Sequence, residues 1–296
     1  MSTRETQLLA HIALRATDLP GHVVVGPGDD CALLGDVPGR LLVTTDQVVG
    51  GVHYEPGSDV EFIANHALGR ALSDIAAMGA TPIASSATAV IPEGYTHAGA
   101  LFNAMHRLAL AWECPLVGGD IASHDGAMVL SITMLGREHP ARGSVLRSGA
   151  RVGDGVYVTG ILGEAARSGW TTMIETRVRE ARWLCDTLGE NLGAMIDVSD
   201  GLGIDCGRIA SMSGIAIELR GGAIPCASGT TWREALGAGG DYELCFTSSE
   251  EVGSECPETG VAVTRVGEVL AGEGVMVLDP GGERVDVTTQ GWDHLI

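Results

Sequence analysis

Short apolar runs that end in small residues and acids punctuate the chain. Leu41-Leu42-Val43 leads into Thr44-Thr45-Asp46, and Gln47-Val48-Val49-Gly50-Gly51-Val52-His53 follows. The first half predicts a buried strand with two hydroxyls and a carboxylate at its tip. The same grammar recurs in Val23-Val24-Val25-Gly26-Pro27-Gly28-Asp29-Asp30, in Pro115-Leu116-Val117-Gly118-Gly119-Asp120 and in Ala194-Met195-Ile196-Asp197-Val198-Ser199-Asp200-Gly201-Leu202. Taken singly, each fits a strand followed by an Asp-containing turn. Taken together, they predict acids converging on one cation-rich site, because hard oxygen donors suit a hard cation such as Mg2+.

Between these runs the pattern changes period. Residues 5–16 predict a short amphipathic helix with Leu8, Leu9, Ile12 and Ala13 on one face. A longer helix is expected from Asp59 to about Met78, with Ile63, Ala67, Ala71 and Met78 on its apolar stripe. Asp74 lies on that stripe. A buried carboxylate is costly, so Asp74 is expected to have a metal or donor partner, or else to be partly exposed or a local cap. Gly79-Ala80-Thr81-Pro82 stops the helix. Strands are then expected over 83–91, 115–117 and 127–136, with a helix over 95–112. Residues 137–153 are rich in Arg, Gly and Ser and mark a domain boundary. The second half predicts strands over 155–160, 194–196, 215–219, 242–247, 261–266 and 275–278, and a helix over 175–189. Ser199 or Asp200 is placed to cap a helix after Gly201, whose N-terminus suits a phosphate. The expected class is α/β (α+β), with an N-terminal domain over 1–140 and a C-terminal α/β domain over 141–296.

Charge narrows the chemistry. The formal net charge is −20, and all 18 basic residues are arginine. Without lysine there is no Walker-type P-loop lysine, no Schiff-base lysine and no kinase strand lysine. No basic patch supports nucleic-acid binding. An acidic protein that handles an anionic substrate must neutralise it with metal ions; the alternative is that the acidity reflects a saline or GC-rich host. The seven cysteines are odd in number and include no C-x-x-C pair, which argues against a zinc site and a disulfide framework. No apolar segment reaches the length of a membrane span, and the first residues do not open a signal peptide. A cytoplasmic protein without a membrane partner is expected.

The stretches Gly26–Leu34, Thr44–His53, Leu72–Pro82, Val117–Asp120, Leu146–Gly163, Asp197–Asp205 and Asp241–Phe246 occur in this order over nearly the whole chain. In that order the sequence resembles the thiamine-monophosphate kinases, within the superfamily of aminoimidazole ribonucleotide synthetase and selenophosphate synthetase. The resemblance implies a homodimer built through N-terminal strands, with ATP at a Mg-rich site between acidic loops. It implies metal ligation by Asp30, Thr44, Thr45, Asp46, Asp74, Asp120, Asp197 and Asp200, and ATP contacts by Gly119, Asp120, Arg147 and Ser199. Trp112 matches an aromatic position near the adenine, while His53 and Trp292 match contacts to thiamine monophosphate. Asp46, Asp120 and Arg147 take the catalytic roles. Mg2+ as several ions, with ATP as co-substrate, would drive direct in-line transfer to the acceptor phosphate.

The sequence also departs from that pattern. Gly239-Gly240-Asp241-Tyr242-Glu243-Leu244 has Gly240 where the family has a glutamate that recognises substrate. The segment between Gly163 and Arg177 is short, and Ile121-Ala122 replaces hydroxyl residues. The nucleotide and metal half of the pattern is retained, and the acceptor half is altered. Two alternatives therefore stand beside the kinase: a related ATP-dependent enzyme with another phosphorylated acceptor, and a nucleotide-binding homologue without catalysis. The retained acids argue against the second. Selenophosphate synthetase lacks support because its reactive Cys and Lys are missing. The hydrogenase-maturation relative lacks support because His294-Leu295-Ile296 replaces a terminal Cys.

Overall fold

The computed structural model describes residues 11, 14, 19–25, 33–35 and 37–292. Most of the helix expected over 5–16 lies outside these residues, as do Asp29 and Asp30. The chain divides into two compact units, Met1–Leu72 with Thr81–Arg137, and Ser73–Ala80 with Glu138–Ile296.

The first unit holds strands β1 (Val23–Val25), β2 (Leu33–Leu34), β3 (Leu41–Val49), β4 (Thr81–Pro92), β5 (Leu116–His124) and β6 (Val129–Arg137). Helix α1 (Val60–Ala77) begins here, and its residues from Ser73 belong to the second unit. Helix α2 (Ala98–Ala111) forms the crossover between the parallel pair β4 and β5. β1 and β2 pair with each other, and the remaining strands form a sheet in the order β3-β6-β4-β5. On α1, the apolar spacing buries Ile63, Ala67, Ala71 and Ile75. The amides of Gly79 and Ala80 then bond back to the Ala76 and Ile75 carbonyls and close the helix.

Two expectations for this unit are corrected. β3 does not stop at its hydroxyls but runs on to Val49, antiparallel to β6 without a break in register. Val48 is the reason, since it is fully buried opposite Leu130 and continues the alternation. β3 is therefore covered on one face only, with Leu41, Val43, Thr45 and Gln47 exposed on the other. β5 likewise continues past Val117 to His124 against β4, so Asp120 sits within a strand.

The second unit holds β7 (Gly155–Thr159), α3 (Glu164–Arg167), α4 (Val178–Leu188), β8 (Leu192–Val198), α5 (Leu202–Ser213), β9 (Ala216–Arg220), α6 (Trp232–Gly237), β10 (Glu243–Ser248), β11 (Val263–Leu270), β12 (Gly274–Leu278) and β13 (Arg284–Asp286). The sheet order is β13-β12-β9-β11-β7-β10-β8, antiparallel except for β12 beside β9. Val156, Val158, Ile196, Leu202, Ile209, Ile217, Val266 and Val277 belong to its core. Every residue of β8 is buried, so the strand carries Asp197 to the edge of that core. At the start of α4, the buried Arg177 guanidinium donates two 2.6 Å hydrogen bonds to the buried Glu243 carboxylate of β10. The mixed helix-and-sheet class is the one expected from the sequence.

Candidate active site

β3 and β5 are the two edge strands of the first sheet, and the pairings give the rows across it. Asp46, Ile132, Ala87 and Gly119 form one row, and Gln47, Ser131, Thr88 and Asp120 the next. Three strand spacings separate Asp46 from Asp120, about 14 Å. At that spacing the two carboxylates are too far apart to share one ion. Strand alternation also splits the hydroxyl pair. Thr44 and Asp46 turn to the covered face, while Thr45 turns to the open one, where its Oγ1 lies 3.0 Å from Thr133 Oγ1. Toward an ion on the Asp46 side, Thr45 offers only its backbone carbonyl. Asp46 Oδ1 is 3.9 Å from Arg70 Nε of α1, a contact that sequence reasoning missed.

The backbone at Gly119 passes so close to β4 that a Cβ would stand 1.9 Å from the Ala87 carbonyl oxygen. Only glycine fits there. Beyond β3, His53 folds back, and its Nδ1 accepts the Val49 amide at 2.9 Å. In the neutral ring this places the proton on Nε2, so Nε2 is a donor. Trp112 follows α2 as its C-cap and is half-buried.

In the second unit, Asp197 is buried at 3% exposure and accepts a 2.9 Å hydrogen bond from Ser73 Oγ of α1. Burial pushes its carboxyl up to about 7, and the charges of Asp74 and Asp205 add to the shift. The Ser73 bond and the Arg147 charge oppose it. Asp74, Asp197 and Arg147 are thus brought into electrostatic contact, with Asp74 only half-buried. Of the two possible caps, neither is used: α5 has Gly201 at its N-cap and no side-chain cap bond. Asp205, from inside the first turn, accepts the amides of Asp200 and Gly201 at 3.1 Å each. Arg208 bridges Asp205 and Asp200, reaching Asp200 Oδ2 at 2.6 Å. Burial, the largest cause, pushes Asp205 up to about 6. The backbone of Trp292 is tied to the same loop, its amide donating to the Asp200 carbonyl at 2.8 Å. Cys114 and Cys185 are unsuited to nucleophilic work, since burial pushes both thiols up to about 12.

Residues 28–137 match the family model described as AIR synthase related protein, N-terminal domain. Over 98% of its length the chain is 36% identical to the thiamine-monophosphate kinase of Rhodopirellula baltica, of which it covers 97%. The chain belongs to the thiamine-monophosphate kinase family. The crystal structure of thiamine-monophosphate kinase from Stenotrophomonas maltophilia is 28% identical, with a TM-score of 0.76 over 96% of this chain and 99% of that one. The structure of AaThiL complexed with AMPPCP and TMP shares the fold at 24% identity, with a TM-score of 0.75 over 99% of this chain and 97% of that one.

As a member of the thiamine-monophosphate kinase family the chain is a kinase, and the reading of a homologue without catalysis is set aside. Among the described residues, no three His, Cys, Asp or Glu side chains form a cage for an ion by themselves. The donor set nevertheless fits a divalent cation. Asp74 and Asp205 both raise Asp197, and a cation beside the carboxylates relieves that repulsion while taking the oxygen ligands it prefers. Asp30 lies outside the described residues. Asp205 and Arg208 carried a signal that was readable, a carboxylate and a guanidinium at i, i+3 in the first turn after an acidic loop. Arg70 carried none, because its partner lies on a distant strand.

Proposed function

We propose that the protein transfers the γ-phosphoryl group of ATP to the phosphate of thiamine monophosphate, giving thiamine diphosphate and ADP. The observation that carries this reading is the buried Asp197 held against Asp74 under the charge of Arg147, in a chain related over its full length to enzymes of that name. The ligands of the AaThiL complex, AMPPCP and TMP, support the same pair of substrates.

Both substrates are anions and the protein is strongly acidic, so charge neutralisation dominates the problem. Asp30, Asp46, Asp74, Asp120, Asp197 and Asp200, with oxygens of Thr44 and Thr45, would hold Mg2+, which supplies the positive charge that the polyphosphate needs. Arg147 is the fixed cation, and its fork matches phosphate oxygens. Gly119 offers its backbone to the nucleotide, Ser199 bonds it, and Trp112 packs near the adenine. His53 positions the acceptor through its Nε2 donor, and Trp292 packs on the acceptor rings. The attacking group is a phosphate already ionised at neutral pH, so direct in-line transfer requires no general base. Residues 1–140 serve as the metal, nucleotide and dimerisation domain and 141–296 as the C-terminal domain. The exposed Leu41 and Val43 support a homodimer formed through the open face of the first sheet. We place the reaction in the cytoplasm.

The test is ADP release followed with ATP and Mg2+. Thiamine monophosphate is expected to stimulate it at least tenfold, unphosphorylated thiamine is not, and EDTA is expected to abolish it. Equal stimulation by thiamine, or activity in EDTA, contradicts the reading.

A further inference from the structure

Trp170 adopts a conformation that its side chain does not favour. Its φ is +57°, and the preceding Gly169 is also left-handed at +69°. Glycine is the ordinary residue at such a helix end, and a bulky side chain there is strained. The turn does not require an indole, since its bonds are made by backbone. The Trp170 amide donates to the Ala165 carbonyl at 2.7 Å and the Gly169 amide to Ala166 at 3.0 Å. Nor is the ring buried as core, with 52% of the residue exposed.

The indole is nevertheless fixed in direction. Its Nε1–H donates to the Gly239 carbonyl at 3.0 Å. It also lies over Gly240, where an added Cβ would stand 3.1 Å from Cδ1 and 3.3 Å from Nε1. Gly240 has φ +93° and bonds through its amide to the Ser199 carbonyl at 2.8 Å. Trp292, 55% exposed, bonds through its amide to the neighbouring Asp200 carbonyl. Trp170 is therefore anchored to the Gly239-Gly240 loop and Trp292 to the Ser199-Asp200 loop, and the Gly240 amide joins the two loops. A strained, exposed and oriented aromatic, one backbone hydrogen bond away from the Ser199-Asp200 loop, is spent on a ligand more reasonably than on the fold.

Resting on the reading given under Proposed function, we propose that Trp170 is a specificity-determining contact for the acceptor, an aromatic platform for its cationic heteroaromatic end. The thiazolium ring of thiamine monophosphate is such a cation, and an indole face binds cations better than the other aromatic faces do. Recognition at this point is by stacking and charge on the ring. The absence of a side chain at Gly240 leaves the indole room to lie there. Phosphorylated acceptors without an aromatic cation would gain nothing from it.

Acceptor and ATP kinetics of Trp170→Gly and Trp170→Phe, each with its thermal midpoint, test the proposal. Glycine suits the backbone, so the Gly variant is expected to melt no lower than the parent. Its KM for thiamine monophosphate is expected to rise about tenfold, with kcat and the KM for ATP within twofold. Phenylalanine is expected to restore most of the acceptor affinity. An acceptor KM within twofold of the parent in Trp170→Gly overturns the proposal while the parent's turnover keeps the kinase reading intact. A lower midpoint with both KM values raised alike also overturns it, since the ring would then only support the fold. A parent protein that makes no thiamine diphosphate sinks the kinase reading, and this inference with it.

Discussion

Asp197 concentrates the chemistry of the second unit in one carboxyl group. Its folded value of about 7 lies above its ordinary 3.8. Below about pH 4 the group is protonated in both the folded and the unfolded chain and costs nothing. Between about pH 4 and 7 the folded protein holds a proton that the unfolded chain releases, so stability of the metal-free protein falls as pH rises. In EDTA the thermal midpoint is expected to decline over this window, and Asp197→Asn is expected to flatten the decline. An unchanged slope in the variant would contradict the assignment. Asp46→Asn tests the first unit: activity is expected to fall about a hundredfold, with the midpoint little changed because the Arg70 contact is long and partly solvated. Full Mg-dependent activity in this variant would sink the metal-ligand reading. At this scale the acids were legible because short apolar runs pointed at most of them and a helical stripe at Asp74. The alternation that turns Thr45 away from Thr44 and Asp46 was readable in principle. The apolar run Leu41-Leu42-Val43 gives way to three polar residues, which read as a strand tip and hide that alternation.

The elements were legible where period and punctuation agreed. Ile63, Ala67, Ala71 and the Gly79 stop gave α1 nearly residue for residue. β5 was underestimated because Gly118-Gly119-Asp120 reads as a turn, whereas close pairing with β4 holds it extended. Gly119→Ala brings a Cβ within 1.9 Å of the Ala87 carbonyl and is expected to destabilise the first unit by about 2–4 kcal/mol. Urea denaturation measures this, and a neutral result would contradict the close approach. The Arg177–Glu243 pair links α4 to β10 across a long stretch of sequence, and nothing in the sequence pattern marks it. Arg177→Met leaves Glu243 buried without its cation and is expected to cost about 3–5 kcal/mol. Adding Glu243→Gln is expected to recover part of that loss, and losses that simply add would show that the two residues do not act as a pair.

At the scale of the whole molecule, the charge of −20 and the absence of lysine set the terms of the reaction. ATP and a phosphorylated acceptor are both repelled by such a surface, so activity is expected to depend on divalent metal rather than on a basic cleft. Fold and family could be read from the ordered acidic stretches, which run over nearly the whole chain. The acceptor end could be read less well, because Gly240 and the short segment carrying Trp170 both differ from the pattern that the resemblance leads one to expect. The structure joins the two departures by laying the indole over the glycine. The most direct test of the central claim is an incubation with γ-labelled ATP, Mg2+ and thiamine monophosphate, with the products separated by chromatography. The account predicts label in thiamine diphosphate, one equivalent of ADP for each, and neither when Mg2+ is removed. ATP binding without labelled thiamine diphosphate, or label transferred instead to a different phosphorylated acceptor, would contradict it.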